Sequence, residues 1–159
     1  MSRPAVPKAH SPAARSAEGS PVTPVASSAI TFDDFRPGTA LGEAIEVASD
    51  ALVERWQRIF GTRHEDGAGG AAEGASLAVV LMMRAYLGVV TPRPPGNVHA
   101  RQQFALQAPP RRGEAVRSVV SCVGKEMRRG RRYVELQVQG SGDGGRAIYT
   151  GRLSLIWAA

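Results

Sequence analysis

Between Glu73 and Leu87 the chain reads EGASLAVVLMMRAYL, and apolar side chains point in almost every direction around a helix drawn through it. Leu77, Ala78, Val79, Val80, Leu81, Met82, Met83 and Leu87 leave Arg84 as the one charge after Glu73. A helix apolar all round must be wrapped on most sides. At about 15 residues the segment falls short of the roughly 20 that span a bilayer. The expected wrapper is therefore a curved antiparallel sheet built from the strands that follow.

Upstream, ITFDDFRPG offers Phe32 and Phe35 to cover the core edge, and Pro37-Gly38 makes a turn. TALGEAIEVA alternates Ala44, Glu46 and Ala48 against Ile45 and Val47, which predicts a first strand. Ser49 or Asp50 can cap the next segment, where Leu52, Val53, Trp56, Ile59 and Phe60 fall at helical spacing. Glu54 and Arg58 sit four apart on its wet side, and Gly61 ends it. GTRHEDGAGGAA is a glycine-rich loop into the central helix, which the prolines of TPRPPGN close.

Four strand segments remain. In NVHARQQFAL, Val98, Ala100, Gln102, Phe104 and Leu106 share one face, with His99 opposite as a surface or interface residue. AVRSVVSCVG is apolar on both faces, as a central strand would be. RRYVELQVQ turns Val134, Leu136 and Val138 inward, and RAIYTGRLSLIWA sets Leu153, Leu155 and Trp157 on one side. The connectors PPRRGE, MRRGR and GSGDGG read as hairpin-type turns. The predicted class is α+β, with strand, helix, long helix and four strands in that order.

Composition narrows this reading. The chain has 159 residues, 43% hydrophobic, which suits one domain. Residues 1–28, rich in Pro, Ala and Ser without apolar periodicity, are expected to be a disordered tail, and residues 29–159 the domain. Cys122 is the single cysteine, so no intrachain disulfide forms, and its strand setting predicts a buried structural thiol. Prolines break the N-terminal stretch, which carries no secretory h-region, and a cytoplasmic location is expected. The formal charge of +6 permits acidic partners. Aromatic residues do not interleave with the basic ones, so no nucleic acid is expected. Three scattered His, with His10 in the tail, support no metal site.

Several strings resemble the MaoC-like branch of the hotdog family, the acyl-thioester hydratases and dehydratases. FDDFRPGTALGEAIEVASDALVERWQRIFG resembles that family's opening: an F-x-PG turn, a strand, and a helix closing in a Phe-Gly pair. EGASLAVVLMMRAYL resembles the central helix, which in family members often opens with a His-Gly pair. The P-x-x-x-G-x-x-V turn from Pro109 to Val116 and the RGRRYV hairpin resemble the strand region. The resemblance covers about residues 30–159. It implies a single hotdog domain, with the long helix wrapped by a curved antiparallel sheet. It also implies a homodimer, or a heterodimer with another hotdog chain, with acyl-thioester pockets at the interface. No cofactor is implied beyond the coenzyme A or acyl carrier protein that carries the substrate. No membrane span is implied.

In such a protein the central helix begins near the thioester carbonyl, where free N–H groups polarise the oxygen. Gly74 and Ala75 are the matching positions. Hydration needs a base for water and an acid for the α-carbon, which in the family are an Asp and a His in a string resembling G-D-x-N-P-x-H. This chain has Gly61-Thr62-Arg63-His64-Glu65-Asp66, with Thr62 in the Asp position and no His at the expected spacing. The dyad is not carried over. His64 and Asp66 are either an improvised acid–base pair or a solvated loop before a helix. Glu73 is either a base in an apolar pocket or a first-turn acid favoured by the helix dipole. Ser76 either binds ligand or caps the helix. Arg111, Arg112, Arg128, Arg129, Arg131 and Arg132 fall on two hairpin ends, where they either gather a pyrophosphate or an acidic carrier surface or are solvated turns. The expected activity is an enoyl-thioester hydratase or 3-hydroxyacyl dehydratase. The alternatives are a non-catalytic subunit beside an active sister chain, and a thioesterase that uses Glu73 as its one carboxylate.

Overall fold

A computed structural model describes residues 28–61 and 68–158, which form two helices and one five-stranded antiparallel sheet. The elements are β1 (Thr39–Val47), α1 (Asp50–Phe60), α2 (Ala68–Val89), β2 (Val98–Leu106), β3 (Ala115–Arg128), β4 (Arg131–Ser141) and β5 (Ala147–Trp157). In the sheet they run β1-β3-β4-β5-β2. The expected tail at 1–28 lies, Ser28 apart, outside the described residues, as do His64 and Asp66.

Alternation along the strands builds the core. Val116, Val120 and Cys122 on β3, Val134, Leu136 and Val138 on β4, and Leu153, Leu155 and Trp157 on β5 are all buried. Against them α2 lays Leu77, Ala78, Leu81, Met82, Ala85 and Tyr86, also buried. A side chain the size of Leu81 contributes about 2 kcal/mol when fully removed from water. Phe35 closes one end, its ring edge-on to Trp157 at 4.8 Å between centroids. The Trp157 indole N–H donates to the Ile30 carbonyl at 2.9 Å. The chain before β1 is thereby tied to the last strand. A long helix held in a curved antiparallel sheet in this order is a hotdog fold.

Local chemistry sets the element ends. The Ser49 side chain accepts from the Leu52 N–H at 3.4 Å, and the Gly61 N–H donates to the Gln57 carbonyl, so Ser49 and Gly61 bound α1. Arg129 and Gly130 both hold positive φ between the paired residues Arg128 and Arg131. That is the two-residue type I′ hairpin turn, which follows the right-handed strand twist.

Several expectations are corrected. The central helix starts at Ala68, so Ala68–Ala72 are helical rather than loop. With 22 residues it is long enough to cross a bilayer, and Gly70–Val89 is apolar enough; its buried side chains face the sheet. One sheet covers only one side of a helix. Val80 and Leu87 therefore stay 36% and 42% exposed, and Ile59 and Phe60 of α1 are exposed as well. Ile45 and Val47 point outward from β1. Glu54 and Arg58 do not pair with each other; among the described residues the acid that pairs on α1 is Asp50, with Arg112 at 3.3 Å. PPRRGE is not a hairpin, because β2 pairs with β5 and the chain must cross to reach β3.

One departure from simple alternation is at Ala100. The β2–β5 register pairs His99 with Leu155 and Arg101 with Ser154, leaving Ala100 as an extra residue. Directly opposed residues share a face. His99 thus joins Gln102, Phe104 and Leu106 on the helix side with Leu155, while Val98 lies with Ile156 on the other. A β-bulge shifts the period by one, which strict alternation cannot anticipate.

Candidate functional site

Glu73 is the sixth residue of α2, beyond its first turn. Its Oε2 accepts from Gln57 Nε2 of α1 at 3.0 Å, so the two helices are pinned where the described chain resumes. Leu77 lies four residues on, along the same helix face. With Val80, Leu52, Trp56, Ile59 and Phe60 it lines an apolar cleft of about 130 Å³ between α1 and α2. Within this cleft lining, the Trp56 indole N–H is buried without a hydrogen-bond partner among the described residues. The cleft thus lies beside a carboxylate, Glu73, that could serve as a base.

Gly74 is buried under the β2–β3 connection. A Cβ built there would lie 2.6 Å from Pro109 Cβ, so the glycine is required by space. Ala75 is half-buried one position on. Because α2 starts at Ala68, the N–H groups of Gly74 and Ala75 belong to its i→i−4 ladder, and the helix's unpartnered N–H groups lie in its first turn. Carbonyl polarisation by Gly74 and Ala75 is therefore corrected: the helix begins about two turns earlier. Ser76 is no cap either, since its hydroxyl donates to the Ala72 carbonyl at 2.7 Å within the helix.

The connection over Gly74 is fastened by a group that sequence reasoning missed. Glu114, buried at the start of β3, accepts from the backbone N–H of Arg111 at 2.7 Å and of Asp143 at 3.0 Å. Arg146 donates to the same carboxylate at 2.5 Å and to the Pro109 carbonyl at 3.2 Å. Burial disfavours the charged carboxylate, but the two backbone donors and the Arg146 guanidinium outweigh it and hold the pKa below the ordinary glutamate value. The one sequence signal was an acid between Gly113 and an apolar strand.

The arginines do not converge within this chain. Arg111 and Arg112 precede β3, whereas Arg128, Arg129, Arg131 and Arg132 cluster at its far end. Fourteen residues of strand separate them by about 40 Å. Arg131 opens β4 at that tip, on the opposite end of β3 from Gly74 and Pro109. Cys122 is fully buried, and burial raises its thiol pKa. Among the described residues no His, Cys, Asp and Glu cluster fit for a metal occurs.

No family model matches the sequence, and no curated protein matches it. Solved structures do match the fold. The MaoC-like dehydratase from Rhodospirillum rubrum superposes with a TM-score of 0.66 at 15% identity, over 82% of this chain and 98% of that one. The unliganded R-hydratase PhaJ1 from Pseudomonas aeruginosa gives 0.61 at 16% identity, over 81% and 86%. The HadBC complex from Mycobacterium tuberculosis, a 3R-hydroxyacyl-ACP dehydratase, gives 0.55 at 15% identity, over 71% and 90%. These three neighbours, one hydratase and two dehydratases by name, show that the chain shares their hotdog fold.

Proposed function

We propose that this chain binds acyl thioesters and acts as an enoyl-thioester hydratase or 3-hydroxyacyl dehydratase. The observation that carries this reading is the apolar cleft between α1 and α2, one helical turn from the Glu73–Gln57 pair, on a hotdog scaffold. An acyl chain fits such a lining, and a carboxylate and a histidine could divide the proton transfers. In hydration a base takes a proton from water as its oxygen adds to the β-carbon, and an acid protonates the α-carbon. We assign these roles to His64 and Asp66, with Glu73 at the cleft edge as the further candidate base. The substrate is carried on coenzyme A or on an acyl carrier protein, and the reaction needs no other cofactor.

The partner in this reading is a second hotdog chain. Among the described residues β2 is an edge strand with one side of its backbone unpaired, and Val98 and Leu106 are exposed along it. Such an edge is a template for strand addition. Thr62 in the position of the family's acid supports a second reading, in which this chain is the non-catalytic member of a pair. The HadBC neighbour, a complex, is consistent with it.

Hydration of crotonyl-CoA by the purified chain separates the two readings. Turnover by the chain alone, reduced by His64→Ala or Asp66→Asn, supports the hydratase. Turnover only after a dyad-bearing hotdog protein is added supports the silent subunit. No turnover and no acyl-CoA binding in either case rejects both.

A further inference from the structure

A second cleft lies at the other end of α2. It holds about 400 Å³ between the C-terminal half of the helix, the 93–97 segment and the start of β2. Glu73 and Tyr86 stand thirteen residues apart on the helix, about 20 Å along its axis. The two clefts are therefore separate. We propose that this second cleft is a binding site for a small aliphatic carboxylate, independent of the acyl-thioester reading.

Three donors line it, and among the described residues no acid does. Arg93 lies over the Tyr86 ring with its guanidinium carbon 5.4 Å from the centroid. Among the described residues it joins no salt bridge. The bulge at Ala100 turns His99 to the same side, its ring 6.3 Å from that of Tyr86. Asn97 completes the set. Its Oδ1 accepts from the Ala158 N–H at 2.7 Å, which orients the amide, and the opposite Nδ2 is buried with no partner among the described residues. Buried amide donors are nearly always satisfied, and this one lies just beneath the cleft surface, where a small outward shift of the Asn97 side chain brings it to a ligand oxygen.

The acceptor has a definite shape. A planar two-oxygen group matches the fork of a guanidinium and leaves lone pairs for Asn97 and His99. The remaining wall is apolar, from Met83, Leu87 and Leu155. A short alkyl chain covers that surface, whereas a bare inorganic anion leaves it wet. The ligand is accordingly a carboxylate with a short aliphatic tail.

The test is calorimetric and NMR titration of the full chain with sodium hexanoate, with hexanol and inorganic phosphate as controls. Hexanoate should bind saturably at millimolar concentration, with shifts gathered at Tyr86, Asn97 and His99. Arg93→Gln should weaken it by about tenfold or more, the usual loss for a charged hydrogen-bonding partner. Hexanol should bind correspondingly less well. Phosphate binding as tightly as hexanoate overturns the aliphatic part of the proposal. The absence of saturable binding, or equal affinity in Arg93→Gln, overturns the site. If Arg93→Gln does not fold, His99→Ala on the exposed strand carries the same comparison. None of these readouts depends on hydratase activity.

Discussion

The hydroxyl of Tyr149 on β5 lies 2.5 Å from Ser118 Oγ on β3, reaching across the intervening strand β4. The crossing is possible because Gly140 is the β4 residue between them, and any Cβ there would strike the tyrosine ring. Glycine weakens a strand interior. Here it leaves room for two buried hydroxyls to satisfy each other in the middle of the sheet.

Breaking this pair should cost more than either group contributes when exposed. Ser118→Ala leaves the Tyr149 hydroxyl buried and unpaired, with an expected loss of about 1–3 kcal/mol in urea unfolding. Gly140→Ala should cost at least as much, through overpacking. Burial raises the Tyr149 pKa, against the Ser118 hydrogen bond, with Glu46 adding to the rise. A raised folded-state pKa gives stability that is complete below the unfolded tyrosine value and lost as pH climbs through the folded one. Tyr149→Phe should flatten the alkaline limb of the stability curve. A mutant that kept the wild-type limb would contradict this assignment.

Glu114 acts at the opposite end of the pH scale. Its pKa is depressed in the folded state, so its contribution is present above the unfolded glutamate value and fades as pH falls through the folded one. Glu114→Gln should lose about 2 kcal/mol near neutrality, the scale of a charged hydrogen-bond set. It should also narrow the difference in stability between neutral and acidic buffer. Thermal melts across that range read both effects, and an unchanged acid slope would show that other carboxylates govern it.

Pro109 over Gly74 gives a third expectation. Gly74→Ala gains helix propensity of about 1 kcal/mol but must push back the proline contact. Overpacking of this kind costs about 1–3 kcal/mol, so the variant should be no more stable than the parent. Amide exchange in the 107–114 connection should quicken with it. Stabilisation by the full propensity gain would mean that the connection yields freely.

The layout was legible wherever two periodicities were clean. Val134, Leu136 and Val138 read inward on sight, and Leu52, Val53 and Trp56 marked the covered side of α1. Ser49 and Gly61 bounded that helix because caps act through residues next to the helix end. Three features were not legible. The start of α2 at Ala68 runs through Gly69 and Gly70, whose low propensity is overridden by tertiary packing further along. Glu73 loses its reading as a first-turn acid for the same reason. The Glu114 clamp joins residues from two connections that no local pattern relates.

The extra residue at Ala100 has a consequence beyond this one molecule. Because it resets which side of the strand each later position occupies, losing a single codon there would swap the wet and dry neighbours of the imidazole without altering any other amino acid. An edge strand can therefore acquire or discard a ligand-facing histidine by a length change alone, and relatives should be compared there by pairing partner, not by column.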